Sequence, residues 1–293
     1  MAPPVVEGFQ ATSNQFSQSS THNCLMPATV QAGWLLVLAV SMSAAGAGTM
    51  TTPSGWSVLA AQTDNTVTQA VYGKAADGSE GGTNVNVSTS SGNSHHAAHA
   101  YAISQWGGTV ATDVVAGTPA TGSSANANSP SASWSWGTVD VLALAVAGLW
   151  GGSSSATVTV YPSNYTDGSI TLGGGTGSSV AHYVTTARRT ILGASSPEDP
   201  GSFTNTNVAW VANTIVIKQG AAYELEGYRW RNDDGDEDDA TWAEDQDTPA
   251  SVAKETTIRL RMLTDVEGDP PARALKLQYR VAESSDPWRD VGA

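Results

Sequence analysis

The densest group of ionisable residues is the acidic run Asn232 to Asp239, which reads NDDGDEDD. Its carboxylates could bind Ca²⁺, a cation that takes six to eight oxygen ligands. The EF-hand spacing does not fit, because counting back from Gly235 puts Trp230 at the first ligand position. Asp-Asp-Gly between two strands is also typical of a hairpin turn. We favour a solvated turn over a calcium site at Asp233–Asp239, and both alternatives stay open.

Histidines form the second candidate group. His95 and His99 are four residues apart, a helical spacing, whereas the sequence around them indicates a loop followed by a strand. Neighbouring residues of a strand, such as His95 and His96, point to opposite faces. We therefore interpret these three as packed or surface histidines and His182 as a strand residue. The sequence predicts no metal ligand and no cofactor.

Carboxylates and the single cysteine are the remaining candidates for catalysis. A pair of acids could hydrolyse glycosides. Most of the acids between Asp64 and Asp199, however, lie in predicted turns, where they need no catalytic explanation. Cys24 has no His/Asn partners and is interpreted as a small buried hydrophobe rather than a nucleophile. No Ser-His-Asp order or phosphate-binding loop appears. We predict no catalytic residue and no enzyme; the acids considered are Asp64, Asp77, Glu80, Asp113, Asp140, Asp167, Glu198 and Asp199.

Aromatic residues could form a platform for carbohydrate. With only three Phe in the chain, however, Trp and Tyr must also build the core, and we favour core packing. Gly117 to Ser133 is a predicted small-residue loop, and it leads to Trp134 and Trp136, whose alternation predicts two indoles on one face of a strand. The full set of candidates is Trp106, Trp134, Trp136, Trp150, Tyr161 and Tyr165.

Two apolar runs are the elements around which the large domain is organised: Trp34 to Val40 and Val139 to Ala147. Each is too short to cross a bilayer and predicts a strand buried on both faces. The segments that follow the first run return in the same order after the second, as in internal repeats. Few charges (14%) and 30 Gly also favour strands and turns. We predict an all-β protein whose large domain is one sandwich made of two similar halves, with a jelly-roll or related Greek-key topology.

A change of composition after Ala222 predicts a domain boundary. Residues 1–222 form the predicted large domain, in which Met1 to Pro4 is an extended arm lying on a neighbour. Residues 223–293 form a small acidic immunoglobulin-like domain. Its predicted strands are Tyr223 to Asn232, Ala240 to Trp242, Thr257 to Thr264 and Ala274 to Arg280, with a turn at Gly268 to Pro271 and a core of Trp230, Trp242 and Trp288.

The chain is acidic throughout, with a formal charge of −14 and a pI near 4.5. Nine acids and four bases up to Gly220 give −5, and 18 acids and nine bases afterwards give −9. A negative surface repels nucleic acid and anionic lipid, so neither is an expected partner. The start, Met-Ala-Pro-Pro, has no secretory-leader pattern.

Several motifs resemble modules of tailed-bacteriophage virion proteins. In the small domain they are Tyr228 to Gly235 (YRWRNDDG) and Trp288 to Val291 (WRDV); in the large domain they include Pro53 to Trp56 (PSGW), Tyr161 to Thr166 (YPSNYT) and Glu198 to Phe203 (EDPGSF). The resemblance covers nearly the whole chain, and its motifs are structural rather than catalytic. It implies a virion structural protein made in the cytoplasm of a bacterial host.

Within a virion we expect capsid decoration. The chain lacks a coiled-coil or β-helical shaft, and it ends in a discrete acidic module that can stand off the shell. The expected role is that of a cement protein on the outer surface of the assembled head. Its expected partner is the major capsid protein, with further copies of itself as a second candidate. The alternative is a tail or fibre adhesin that recognises a host-surface glycan.

Overall fold

A computed structural model of the protein describes residues 2–14, 19–44, 48–90, 94–152, 155–174, 181–236, 239–253, 256–267, 278–279 and 289–290. The fold is all-β with antiparallel sheets, as predicted. Two compact units divide the chain, Met1–Gly220 (the large unit) and Ala221–Ala293 (the small unit). The change of composition predicts this boundary two residues later, after Ala222. Among the described residues, no helix is long and apolar enough to span a membrane.

The described residues of the first half of the large unit form eight strands in two sheets. Sheet I has the order β1-β8-β3-β6-β5, and a three-stranded outer sheet has the order β2-β7-β4. The predicted run Trp34 to Val40 lies in β3 except for Trp34, which precedes the strand, and all residues of β3 are buried. The strands are β1 Val5–Ser13, β2 Thr21–Leu25, β3 Leu35–Ser43, β4 Met50–Thr51, β5 Ser57–Thr63, β6 Val67–Ala75, β7 Asn84–Thr89 and β8 His96–Ser104.

The second half repeats this arrangement. Sheet II has the order β10-β15-β11-β14-β13, and β9 and β12 also pair with β15. The path β15-β11-β14-β13 matches β8-β3-β6-β5 of sheet I, which confirms the two similar halves. The elements are helix α1 Val110–Asp113 and strands β9 Val114–Ala116, β10 Ala120–Ser129, β11 Val139–Gly152, β12 Val158–Val160, β13 Thr166–Gly173, β14 Ala181–Ala194 and β15 Gly201–Lys218.

Sheets I and II pack face to face and share one hydrophobic core. Leu35 and Val37 of β3 meet Leu142 and Leu144 of β11 in this core. Alternate residues of β3 face the outer sheet instead, and alternate residues of β11 face a third cluster that contains Phe203. Both central strands are therefore buried on both faces, because each sheet is covered on its second side as well. The jelly-roll connectivity stays a prediction.

Pro3 and Pro4 line a groove with Leu142 and Arg188 of their own unit, and Pro4 is buried. The arm on a neighbour stays a prediction. One local prediction for the large unit is wrong. The expected loop between residues 117 and 133 contains strand β10 instead. Its partner β15 is 18 residues long. Pairing along this strand holds the small residues of β10 in an extended conformation.

The small unit contains an antiparallel ribbon of β16 (Ala222–Asn232) with β17 (Ile258–Glu267) and a short pair of β18 (Gln278–Tyr279) with β19 (Arg289–Asp290). The strand predicted at 240–242 is wrong, because only one bridge forms there, between Arg231 and Trp242. Trp242 is 39% exposed, which corrects its predicted core position. The immunoglobulin-like fold stays a prediction; the turn at 268–271, residues 274–277, Arg280 and Trp288 lie outside the described residues.

Candidate functional site

All five histidines of the chain are buried in the large unit. His22 lies on β2 of the outer sheet, His96 on β8 of sheet I and His182 on β14 of sheet II. Together with His95 they form what we call the histidine cluster, at which three sheets meet. His95 also bonds through Nδ1 to the Asn14 carbonyl, 2.7 Å away. The sequence interpretation left packed and surface histidines open, and the structure shows that they are packed.

The centre of the cluster is a contact between His22 and His96. Their Nδ1 atoms are 3.3 Å apart, and the ring centroids are 5.1 Å apart at 70°. Such a hydrogen bond needs one nitrogen to donate and the other to accept, so two protonated rings cannot form it. Burial is the main cause that lowers the pKa of His22 to about 4 and that of His96 to about 3, and the neighbouring histidines lower both further. Both rings are therefore neutral near pH 7.

His99 joins the two main sheets at a separate point. Its Nδ1 lies 2.8 Å from Thr186 Oγ1 on β14, and its Nε2 lies 2.9 Å from Thr171 Oγ1 on β13. The Tyr101 hydroxyl bonds to the same Thr186 hydroxyl at 2.6 Å, and Phe9 packs edge-on against His99. Burial lowers the pKa of His99 to about 3. The described residues contain no group of three or more His, Cys, Asp or Glu arranged to hold a metal ion.

The acids at the turn after β6 stabilise that turn. Glu80 accepts hydrogen bonds from the backbone N–H groups of Asp77 (3.1 Å) and Gly78 (3.0 Å), and it pairs with Lys74 at 2.6 Å. Hydrogen bonds from Ser79 are the main cause that lowers the pKa of Asp77 to about 2. Burial raises the pKa of Glu80, but bonds from Lys74 and the backbone outweigh it and the net shift is downward. A glycosidase acid needs a raised pKa, so these two carboxylates are unsuited to that role.

Glu198 is also bound within the fold. Its Oε1 accepts hydrogen bonds from the Tyr165 hydroxyl (3.0 Å) and from Arg189 (3.2 Å). The other candidate acids bond to nearby backbone or basic groups in the same way. The contacts are Asp64 with Thr66, Asp113 with Thr109 and Lys218, Asp140 with Gly193, Asp167 with Arg188, and Asp199 with Gly201.

Most of the aromatic candidates are packed in the interior and are not exposed to solvent as a binding surface. Trp106, Trp134 and Tyr165 are buried, and Trp106 Nε1 donates to the Gly33 carbonyl at 2.8 Å. Trp134 and Trp136 stack at 5.8 Å between centroids, but they lie outside any strand, so the predicted strand is wrong. Trp136 packs against the same cluster as Trp134; Trp150 and Tyr161 are half-buried. Core packing is confirmed for the buried residues.

Cys24 and the acidic turn complete the set. Cys24 is fully buried, and burial raises the pKa of its thiol to about 12, so it is a packed thiol rather than a nucleophile. In the turn, Asp233 pairs with Arg259 at 2.5 Å. Asp234 accepts hydrogen bonds from the backbone N–H (2.9 Å) and the hydroxyl (2.5 Å) of Thr241, and these bonds lower its pKa. These contacts support the turn interpretation over the calcium site; residues 237 and 238 lie outside the described part.

Arginines of the small unit are the functional candidates that the sequence analysis missed. Arg229 and Arg231 on β16 lie opposite Arg261 and Arg259 on β17. Residues two apart on a strand share a face, so the four guanidinium groups form one patch, which we call the arginine face. Trp242 lies against it, with the Arg229 and Arg231 guanidinium carbons 4.3 and 4.9 Å from its ring centroid. The sequence signal for this face is the pair of Arg-X-Arg repeats at residues 229–231 and 259–261.

Comparison with protein-family models, curated proteins and solved structures finds no match to this chain. Its own geometry separates two kinds of candidate. In the large unit, the histidines, the cysteine and the acids are bound into the scaffold, and they can hold sheets together. In the small unit, Arg259 and Arg261 of the arginine face are exposed and Trp242 is partly exposed, so this face can bind a ligand.

Proposed function

We propose that this chain is a non-enzymatic structural protein of a tailed-bacteriophage virion, which decorates the outer surface of the assembled head. The sequence motifs that resemble virion modules support the setting. The observation that carries the non-enzymatic part is the use of candidate catalytic groups as scaffold: Glu80 and Glu198 accept bonds from their own sheet neighbours, and Cys24 is a buried thiol.

The edges of sheet I provide a binding mechanism. Strands β1 and β5 form its two edges, and Phe9 on β1 and Val58 on β5 are 42% and 48% exposed. Edge strands present N–H and C=O groups that can pair with a strand of a neighbour. A contact that spans neighbouring capsid subunits would exist only on the assembled shell, and it would stabilise that shell by mass action.

The acidic small unit fits an outward position in this scheme. Residues after Gly220 carry a formal charge of −9, and like charge on neighbouring particles keeps them apart. The alternative, a tail or fibre adhesin for a host glycan, is a second proposal. The burial of Trp106, Trp134 and Tyr165 does not favour the large-unit aromatics as its binding site.

Immunolabelling tests the position on the virion. An antibody against residues 223–293, applied to intact virions of the phage that encodes the chain and viewed by negative-stain electron microscopy, should label the head surface. Label confined to the tail, or no label on the particle, would overturn the proposal.

Co-sedimentation tests the mechanism. The chain should sediment with assembled shells and not with free capsid subunits. Val58→Asp on the β5 edge should weaken this binding. Leu192→Asp, which changes a residue that is 70% exposed on β14, serves as the matched control and should leave it unchanged. Equal binding to free subunits, or equal loss in both variants, would contradict the edge-strand mechanism.

A further inference from the structure

The arginine face places like charges directly opposite each other. Arg229 lies across from Arg261, and Arg231 lies across from Arg259. Like charges at opposed positions of an antiparallel pair destabilise it. Four guanidinium groups on one two-stranded ribbon therefore need compensation, either from the chain or from a ligand.

One of these pairs is compensated by the chain. Arg259 forms an ion pair with Asp233 at 2.5 Å. Arg231 is only 5% exposed; its Nη2 donates to the Ala240 carbonyl at 2.7 Å, and its guanidinium lies over Trp242. Both cations of this pair therefore have specific partners in their own unit.

The other pair also has one ion pair, but at a more exposed position. Arg229 Nε donates to the neutral Glu244 carbonyl at 2.9 Å, and the carboxylate of Asp245 lies 3.5 Å from its Nη2. Because Asp245 is 95% exposed, solvent screens that ion pair. Arg261 is exposed, and within the part of the small unit that the structure describes it forms no ion pair. Within the described residues, the charge of Arg229 is therefore paired at an exposed position and that of Arg261 has no ion-pair partner. The Asp247 carboxylate also lies close to Gly227 in this region.

A cavity lies at Arg229 and Arg261. It has a volume of about 240 Å³, and its lining includes Arg229, Arg261, Trp242, Gln246 and Met262. Two forked cations thus border the same space as an aromatic ring, an amide and a thioether. The cavity is smaller than the roughly 300 Å³ at which pockets for drug-sized ligands begin, so its ligand is small.

We propose that this pocket binds a small carboxylate ligand of the acidic-sugar class. The planar guanidinium groups of Arg229 and Arg261 match the two oxygens of a carboxylate, and a bound carboxylate would relieve their mutual repulsion. The Gln246 amide nitrogen lies 3.4 Å from a carboxylate oxygen of Asp247, and its amide oxygen can accept a hydrogen bond from a sugar hydroxyl. The exposed part of Trp242 offers an apolar surface for the ring. Long polyanions are disfavoured, because the residues after Gly220 carry a formal charge of −9 that repels them.

Titration calorimetry on the full chain tests this proposal with three probes. Glucuronate should bind, whereas glucose, which has the same ring without the carboxylate, should not. Inorganic phosphate should bind more weakly than glucuronate, because it lacks the ring. Binding of glucose equal to that of glucuronate, phosphate binding as tight as glucuronate binding, or no binding of glucuronate would each overturn the acidic-sugar assignment.

Two matched variants locate the site. Arg261→Gln should weaken glucuronate binding about tenfold, as expected for the loss of a charged hydrogen-bond partner. Arg259→Gln removes the same charge from the same strand and face, but at a position already paired with Asp233, and should change the affinity less than about twofold. Equal effects would contradict the site, and unchanged melting temperatures would show that both variants fold. The inference goes beyond the proposed function, and its failure would leave head binding, tested by the Val58 variant, unaffected.

Discussion

Mild acid should destabilise the large unit through its buried histidines. Histidine titrates near pH 6.5 in an unfolded chain, whereas burial lowers the pKa of His22 to about 4 and those of His96 and His99 to about 3 in the folded state. Below pH 6.5 the unfolded chain therefore binds more protons than the folded chain. The contribution of these groups to stability is complete above pH 6.5 and is lost as the pH falls towards the folded values.

The expected loss is large on the scale of protein stability. At about pH 5 each of the three histidines should cost about 2 kcal/mol relative to neutral pH, or about 6 kcal/mol together. Typical domains are stable by only about 5–15 kcal/mol. Carboxylates with lowered pKa values, such as Asp77 at about 2, lose their contribution only at lower pH, below the unfolded value near 4. The two effects therefore occupy separate pH windows.

Calorimetric unfolding of the large unit between about pH 7.5 and pH 5, at constant ionic strength, measures this loss. His99→Gln keeps polar atoms for Thr171 and Thr186 but removes one titrating group. We expect it to reduce the slope of stability against pH by about 1.4 kcal/mol per pH unit. Tyr101→Phe, which loses a hydrogen bond in the same network, is the control and should keep the wild-type slope. Parallel curves for wild type and His99→Gln would refute the reasoning.

Three further predictions concern single features. Cys24 should react with a thiol reagent such as DTNB only when the protein is unfolded, because it is fully buried; rapid labelling of the native protein would contradict its placement. Gly148→Ala should destabilise the large unit by about 1–3 kcal/mol in urea unfolding, since the new Cβ would lie 2.8 Å from Ser41 Oγ between the sheets. An unchanged urea midpoint would contradict this, because it would show that the two sheets move apart enough to accommodate the methyl group. Calcium and a chelator should give the same melting temperature, because Asp233 and Asp234 already have partners in the turn, and a calcium-dependent rise would revive the cation site.

The central strands were predictable from sequence because burial on both faces leaves a continuous apolar run, as in β3 and β11. Strand β10 was not, because its small polar residues have low strand propensity and resemble a loop. The structure gives a reason for their size. A Cβ at Gly122 would lie 2.5 Å from the Trp210 ring of β15, so the strand must stay small where this indole lies against it.

The histidine cluster shows a different limit of sequence analysis. His22 and His96 are 74 residues apart and lie on different sheets, and His182 comes from the other half of the unit. No spacing rule brings such residues together, because their proximity depends on how whole sheets stack. The arginine face could have been predicted from the sequence, because its residues alternate along two strands that the sequence predicts.

The ends of the large unit lie together, and this has a mechanical consequence. Val5 begins β1 opposite Ser104, the last residue of β8. The chain leaves the unit at Gly220, whose N–H bonds to the carbonyl of Gln105, the next residue after β8. A pulling force between these ends would load the bonds between β1 and β8 one after another, starting at Val5, so the strand would peel away as a zipper opens.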